Sequence, residues 1–152
     1  METHSWADDG FRFVFANAES DHELRVGDRR TGTSAVILND PGGWIGNPVW
    51  APGKERIMFD WDPAASRPRV SLIDVSGANL VMVAEARVRS TPRTGAWSPT
   101  ASHLLYEHED NLWDDSYLVR ATASGGSKTR ITSATVGDGA WGPQVIGWRA
   151  NP

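Results

Sequence analysis

The chain of 152 residues contains no cysteine. Disulfides, thiolate nucleophiles and zinc sites with cysteine ligands are thereby excluded. No run approaches the roughly 20 apolar residues of a membrane-spanning helix, and no long 3.6-residue period is present. The opening residues, Met1-Glu2-Thr3-His4-Ser5-Trp6, lack the basic-then-apolar order of a secretion signal. Neither sign of charge dominates: 15 Lys and Arg stand against 19 Asp and Glu, for a net charge of -4. Arg29, Arg30, Arg87, Arg89 and Arg93 are too dispersed for the concentrated basic face that counterion release requires, so no nucleic-acid partner is expected. The nucleophile-elbow, phosphate-loop and His-Glu-x-x-His motifs are absent. No catalytic residue, metal site or cofactor is assigned, and the chain reads as non-catalytic.

Tryptophan, by contrast, is abundant, with eight residues. Trp6, Trp50, Trp97 and Trp141 recur at intervals of 44, 47 and 44 residues. Each opens a similar passage: Trp6-Ala7-Asp8-Asp9-Gly10, Trp50-Ala51-Pro52-Gly53, Trp97-Ser98-Pro99-Thr100 and the contracted Trp141-Gly142-Pro143. An aromatic stands nine residues after the first three, at Phe15, Phe59 and Tyr106. A period of this length marks repeats of one supersecondary unit. Within each unit, short β-forming runs alternate with glycine turns, as in Arg56–Asp60, Arg69–Asp74, Ser76-Gly77-Ala78-Asn79 and Leu80–Ala84. The pattern predicts four strands per unit and an all-β chain of about three complete units plus a partial fourth. The repeats fall at approximately 6–49, 50–96, 97–140 and 141–152, in a single domain over 1–152. Strands are expected near 11–16, 23–28, 34–38, 47–50, 56–60, 69–74, 80–84, 94–97, 103–107, 116–121, 128–132, 138–141 and 144–148. Radial packing of such sheets into a β-propeller covers both faces of each.

Pro48-Val49-Trp50-Ala51-Pro52-Gly53, Ala96-Trp97-Ser98-Pro99 and Trp6-Ala7-Asp8-Asp9-Gly10 together resemble the WD40-like β-propeller repeat of the TolB type. The later strand signature of that family is matched at Leu72-Ile73-Asp74-Val75-Ser76-Gly77 and at Val26-Gly27-Asp28. Thr100 and Ala101 depart from its Asp-Gly pair, and Val119-Arg120-Ala121-Thr122 lacks the strand-ending aspartate. The resemblance implies a propeller fold and carries over no catalytic residue. It implies a protein- or peptide-binding scaffold, as in TolB propellers. The alternatives are an accessory propeller fragment of a larger hydrolase or peptidase, and a carbohydrate-binding propeller.

Trp6, Trp50, Trp97, Trp141, Phe15, Phe59 and Tyr106 are expected to be structural, with the second-strand aromatics facing one inter-blade core. Ligand-binding candidates are Trp44, Trp61 and Trp113, which fall outside the repeat positions, with Trp61 and Trp113 in comparable loops. His108, Asp114 and Asp115 join them. These three belong to Glu107–Asp115, which carries five carboxylates and an imidazole in nine residues. That stretch reads most simply as a solvated loop; its spacing is not that of a calcium loop.

Three blades expose two sheet faces, so self-association to complete the propeller is expected, with a dimer of six blades favoured. Six is also the blade number the resemblance implies. Met1–Ser5 is too short to promise an innermost strand for the first unit. The surplus strand at Gly139-Ala140-Trp141 is a candidate to supply one to a partner chain. A complete chain is expected in the cytoplasm; a piece of a longer parent is compatible with secretion or the periplasm.

Overall fold

The computed structural model describes residues 4–17, 22–86, 92–110, 115–131 and 134–135. Every regular element among them is a strand. Strands β1 (His4–Trp6), β2 (Arg12–Ala16), β3 (Glu23–Asp28) and β4 (Thr33–Asn39) form a four-stranded antiparallel blade in sequential order. The second blade is β5 (Trp44–Trp50), β6 (Arg56–Asp62), β7 (Arg69–Asp74) and β8 (Val81–Glu85). The third is β9 (Arg93–Trp97), β10 (His103–Asp110), β11 (Asp115–Thr122) and β12 (Thr129–Arg130). A further short strand, β13 (Ala134–Thr135), pairs with the other end of β11, so the outer edge of this blade is covered by two short pieces. These are three blades of a β-propeller.

The repeated turn after each tryptophan closes in the same way. The N–H groups of Ala7, Ala51 and Ser98 donate to the carbonyls of Arg12, Arg56 and His103, at 2.9, 2.8 and 2.9 Å. The carbonyls of Phe11, Glu55 and Ser102 accept from Arg29, Val75 and Ala123 at 3.0, 3.1 and 3.0 Å. Counting from the tryptophan therefore gives true structural equivalence. Each turn holds one left-handed residue, four positions after the tryptophan at Gly10 (φ 67°) and Ala101 (φ 51°) and three after it at Gly53 (φ 59°). Alanine at the third site is the departure from Asp-Gly noted above, and its backbone still adopts the glycine-like conformation, at a steric cost.

Two apolar cores lie between blades. The first joins blades 1 and 2 through Val14, Leu24, Ile45, Trp50, Ile57, Phe59 and Ile73. The second joins blades 2 and 3 through Met58, Val70, Leu72, Val83, Trp97, Leu104, Tyr106 and Val119. Alternation along each strand assigns one set of residues to the preceding blade and the other to the following one. Trp50 and Trp97 are buried accordingly. The outer turns complete the fit. At Gly77 (φ 83°) a Cβ atom would stand 2.8 Å from the Ile37 carbonyl oxygen on β4, so glycine allows the blade-2 turn to seat on blade 1.

Several expectations need correcting. Residues 4–6 do form an innermost strand, with His4 opposite Phe15 and Trp6 opposite Phe13. Three residues suffice because β2 supplies a full ladder, so blade 1 needs no strand from a partner. The second-strand aromatics do not share one core: Phe59 lies between blades 1 and 2, Tyr106 between blades 2 and 3, and Phe15 in neither, stacking on Phe13 at 5.5 Å, with Phe13 meeting Trp6 at 5.1 Å. Trp6, Phe13 and Phe15 occupy the preceding face of blade 1, against which no described blade packs, and Trp6 is accordingly 48% exposed. Trp44 and Trp61 are not loop residues; they pair with Asp62 and Ile45 within β5 and β6. The expected strands at 138–141 and 144–148, with Trp141, lie outside the described residues.

Candidate functional site

The antiparallel order places the start of each first strand, the end of each second and the start of each third at one end of the blades. At this entry end of blade 2, Trp44, Trp61, Asp62, Arg69 and Arg93 surround a small cavity of about 120 Å³, with Asp60 at its wall. The local sequence accounts for the placement. Pro48 cannot donate to the β5–β6 ladder, whose register shifts between Gly46 and Val49. Asn47 takes a left-handed backbone there (φ 48°), which aims its amide inward. Its Nδ2–H donates to Asp60 Oδ2 at 2.8 Å, while the Thr94 N–H of blade 3 donates to Asp60 Oδ1 at 2.6 Å. The Thr94 hydroxyl donates to the Asn47 carbonyl at 2.9 Å. This triangle pins β9 to β5 and β6.

Asp60 is 5% exposed. Burial pushes its pKa up to about 6; the hydrogen bonds from Asn47 and Thr94 and the charge of Arg93 pull the other way. Both oxygens are engaged by donors that do not move a proton during chemistry, so the arrangement suits a structural carboxylate rather than a general base.

The two tryptophans differ. Trp61 is held on all sides: its Nε1–H donates to Asp40 Oδ2 at 2.8 Å, Arg69 lies 4.9 Å above its ring, and Phe59 is 6.4 Å away. Trp44 is 42% exposed, its ring lying directly over Gly46, where any Cβ would collide with it. Glycine thus lets an indole lie along the strand with one face turned outward. On the neighbouring blade, His22 Nδ1–H donates to the Gly43 carbonyl at 2.6 Å, which fixes the connection leading into β5.

The remaining candidates are not brought to this cavity. The acidic stretch is mostly strand rather than loop: β10 runs to Asp110 and β11 resumes at Asp115, directly opposite. Glu107 and His108 are successive residues of one strand and so point to opposite faces. His108 faces Tyr117 at 5.2 Å and Tyr106 at 6.5 Å. Trp113 and Asp114 lie outside the described residues, and Asp115 is placed by its backbone. Among the described residues no three carboxylates or imidazoles converge as metal ligands. Also among them, no helix is long and apolar enough to cross a membrane. Asp60, Asn47 and Thr94 were not singled out from sequence; the signal was a lone aspartate inside the run Ile57-Met58-Phe59-Asp60-Trp61.

No protein-family profile matches the chain, and no curated protein does. Solved structures do. An oligogalacturonate lyase in complex with manganese is 20% identical, with a TM-score of 0.69, over 87% of this chain and 41% of the lyase. TolB from Acinetobacter baumannii is 18% identical, with a TM-score of 0.67, over 86% of this chain and 31% of TolB. A putative TolB from Agrobacterium tumefaciens is 15% identical, with a TM-score of 0.70, over 87% of this chain and 49% of that protein. The chain thus spans less than half the length of each. At these identities the shared property is the fold: three blades of a propeller of the TolB type.

Proposed function

We propose that the chain is a non-catalytic propeller scaffold that binds a protein or peptide at the entry end of blade 2. The observation that carries this reading is the outward indole of Trp44, set beside Arg69 and Arg93 over a wall whose carboxylate is already bonded. An exposed aromatic flanked by guanidinium groups supplies the anchors that dominate peptide interfaces, and a site whose acid is locked in structural bonds has little capacity for proton transfer. Selection from a displayed random-peptide library should yield binders that lose at least about tenfold affinity on Trp44→Ala or Arg93→Gln. Binders indifferent to both substitutions would refute the placement. Trp44 also has the flat, open geometry that stacks on a sugar ring, and a glycan array decides between the two ligand classes.

The same proposal includes closure of the ring by a second copy, with residues 1–152 acting as one half-ring domain. Trp6, Phe13 and Phe15 of blade 1 stand where blade 2 buries Trp50, Ile57 and Phe59 at 6%, 0% and 0% exposure. On the following side of blade 3, Leu105 and Leu118 stand where blade 2 has Met58 and Val70. Arg120, which replaces Leu72, brings a guanidinium suited to an aromatic face. Packing of these faces, rather than strand donation, is the drive. Light scattering should give twice the 16.6 kDa chain mass, and Trp6→Arg should split the dimer. A monomer at micromolar concentration sinks the closure.

A further inference from the structure

The opposite, exit end of the blades holds a larger cavity, unrelated to the Trp44 site. It is a cleft of about 430 Å³ between blades 2 and 3, lined by Trp97, Ala51, Ala101 and Ala123 with Lys54 and Arg56. Its size is that of a small-molecule site. The internal repeat reveals what its charges are for.

Arg56 is the sixth residue after Trp50, as Arg12 is the sixth after Trp6. Arg12 is saturated with carboxylates. Its NH1 and NH2 groups donate to Glu55 of the next blade at 2.6 and 2.7 Å, and its Nε–H donates to Asp9 at 2.7 Å. Its guanidinium lies 5.3 Å from the Trp50 ring. At the next joint the guanidinium is retained and both of its acids are gone. Gly53 stands at the position of Asp9. Ser102 stands at the position of Glu55, as the matched backbone bonds of Glu55 and Ser102 show. The tryptophan is retained too, since Trp97 lines the cleft.

Arg56 Nε is buried with no hydrogen-bond partner among the described residues. The acids that also line the cleft are committed elsewhere: Glu55 to Arg12, and Asp74 to the Asn79 amide at 2.6 Å. A buried donor without an acceptor is costly, and a guanidinium fork matches a carboxylate in two parallel bonds.

We infer that this cleft binds a carboxylate carried on an apolar, preferably aromatic, body. The carboxylate bonds Arg56 in place of the two acids, Asp9 at Nε and Glu55 at the terminal nitrogens, that hold Arg12 at the first joint, with Lys54 at the rim. The apolar body lies against Trp97 and the three alanines. A free organic acid and the C-terminal carboxylate of a peptide share this chemistry.

The test titrates the full chain with phenylacetate, phenylacetamide and N-acetyl-Gly-Phe in its free-acid and amide forms. Calorimetry gives affinities, and amide chemical shifts of Trp97, Ala101 and Ala123 report location. Phenylacetate should bind at least about tenfold more tightly than phenylacetamide, and Arg56→Gln should remove that preference. Ser102→Glu restores the repeat's own acid and should abolish binding while leaving the melting temperature equal or higher. Tighter binding of the peptide acid than of phenylacetate assigns the site to chain termini; the reverse assigns it to free acids. Equal binding of acid and amide overturns the inference. So does full affinity in folded Ser102→Glu, or no shift at the three cleft amides up to about 20 mM of either acid.

Discussion

The two joints between blades are built from the same repeat and held by different forces. Blade 1 meets blade 2 through a polar seam as well as a core. Arg12 forks onto Glu55, Asp8 Oδ2 accepts from the Gly53 N–H at 2.7 Å, and Ser5 Oγ accepts from the Trp50 N–H at 3.0 Å. Blade 2 meets blade 3 with Pro52, Gly53 and Ser102 in place of Asp8, Asp9 and Glu55, and Val49 in place of Ser5. There the polar contacts are those around Asp60 at the entry end and the Trp97 Nε1–H bond to the Val49 carbonyl at 3.1 Å, and the exit end opens into a cleft. Close packing of the strands is common to both joints, whereas the polar seam differs between them, most of it lying in turns or at strand ends.

The largest effect is expected where the joints are alike. Phe59→Ala in the first core and Trp97→Ala in the second should each destabilise by about 3–5 kcal/mol in chemical denaturation. Both side chains are nearly or wholly buried, and a loss below about 1 kcal/mol at either would mean that its joint does not hold the blades together.

The second effect belongs to the second joint alone. The pKa of Asp60 is raised to about 6 in the folded chain from an ordinary 3.8. Between these values the unfolded chain loses its proton first, so stability should fall as pH rises from about 4 to about 6 and stay level above. The drop is at most about 3 kcal/mol for a shift of this size. Asp60→Asn should flatten that part of the pH–stability profile; an unchanged profile would assign the dependence to other groups.

The smallest effect belongs to the first joint. Arg12 and Glu55 are 31% and 57% exposed at their side chains, so solvent screens them, and a double-mutant cycle with Arg12→Gln and Glu55→Gln should give about 0.5–1 kcal/mol of coupling. The coupling should shrink in 1 M salt, where screening is over about 3 Å. A coupling that salt leaves intact would show a seam more protected than its exposure implies. Hydrogen bonds from the Arg12 backbone and side chain and from the Phe11 N–H hold the Asp9 carboxyl well below its usual range, so the Asp9–Arg12 bond should survive into acid.

Strand positions were legible in the sequence wherever an alternating run met a glycine turn, as at Glu23–Asp28 and Arg69–Asp74, both found at those bounds. The ends of β5, β6 and β10 were not, because Trp44, Trp61 and Glu109-Asp110 look like loop material until a neighbouring strand pairs with them. The innermost strand at His4–Trp6 was missed for the same reason: three residues carry no period of their own. Of the candidate site, Trp44 and Trp61 were visible as tryptophans outside the repeat. Arg69, Arg93 and Asp60 became part of it only through the register of β5 to β9.

The sequence by itself determined the repeat, and with it the blades, the buried tryptophans and the side of each strand that faces a neighbour. A two-residue period and a recurrent turn are local properties, read within one unit. Only the tertiary structure decided which charges meet across a joint and which are left facing a cleft. Arg12 and Arg56 are the same residue in the same place of the repeat; what separates them is Gly53 for Asp9 in their own turns and, across the joint, the residue that the next blade presents, an acid 43 positions along the chain for Arg12 and a serine for Arg56. Coulombic and hydrogen-bond partners act over a few ångströms in space, and no distance along the chain encodes that.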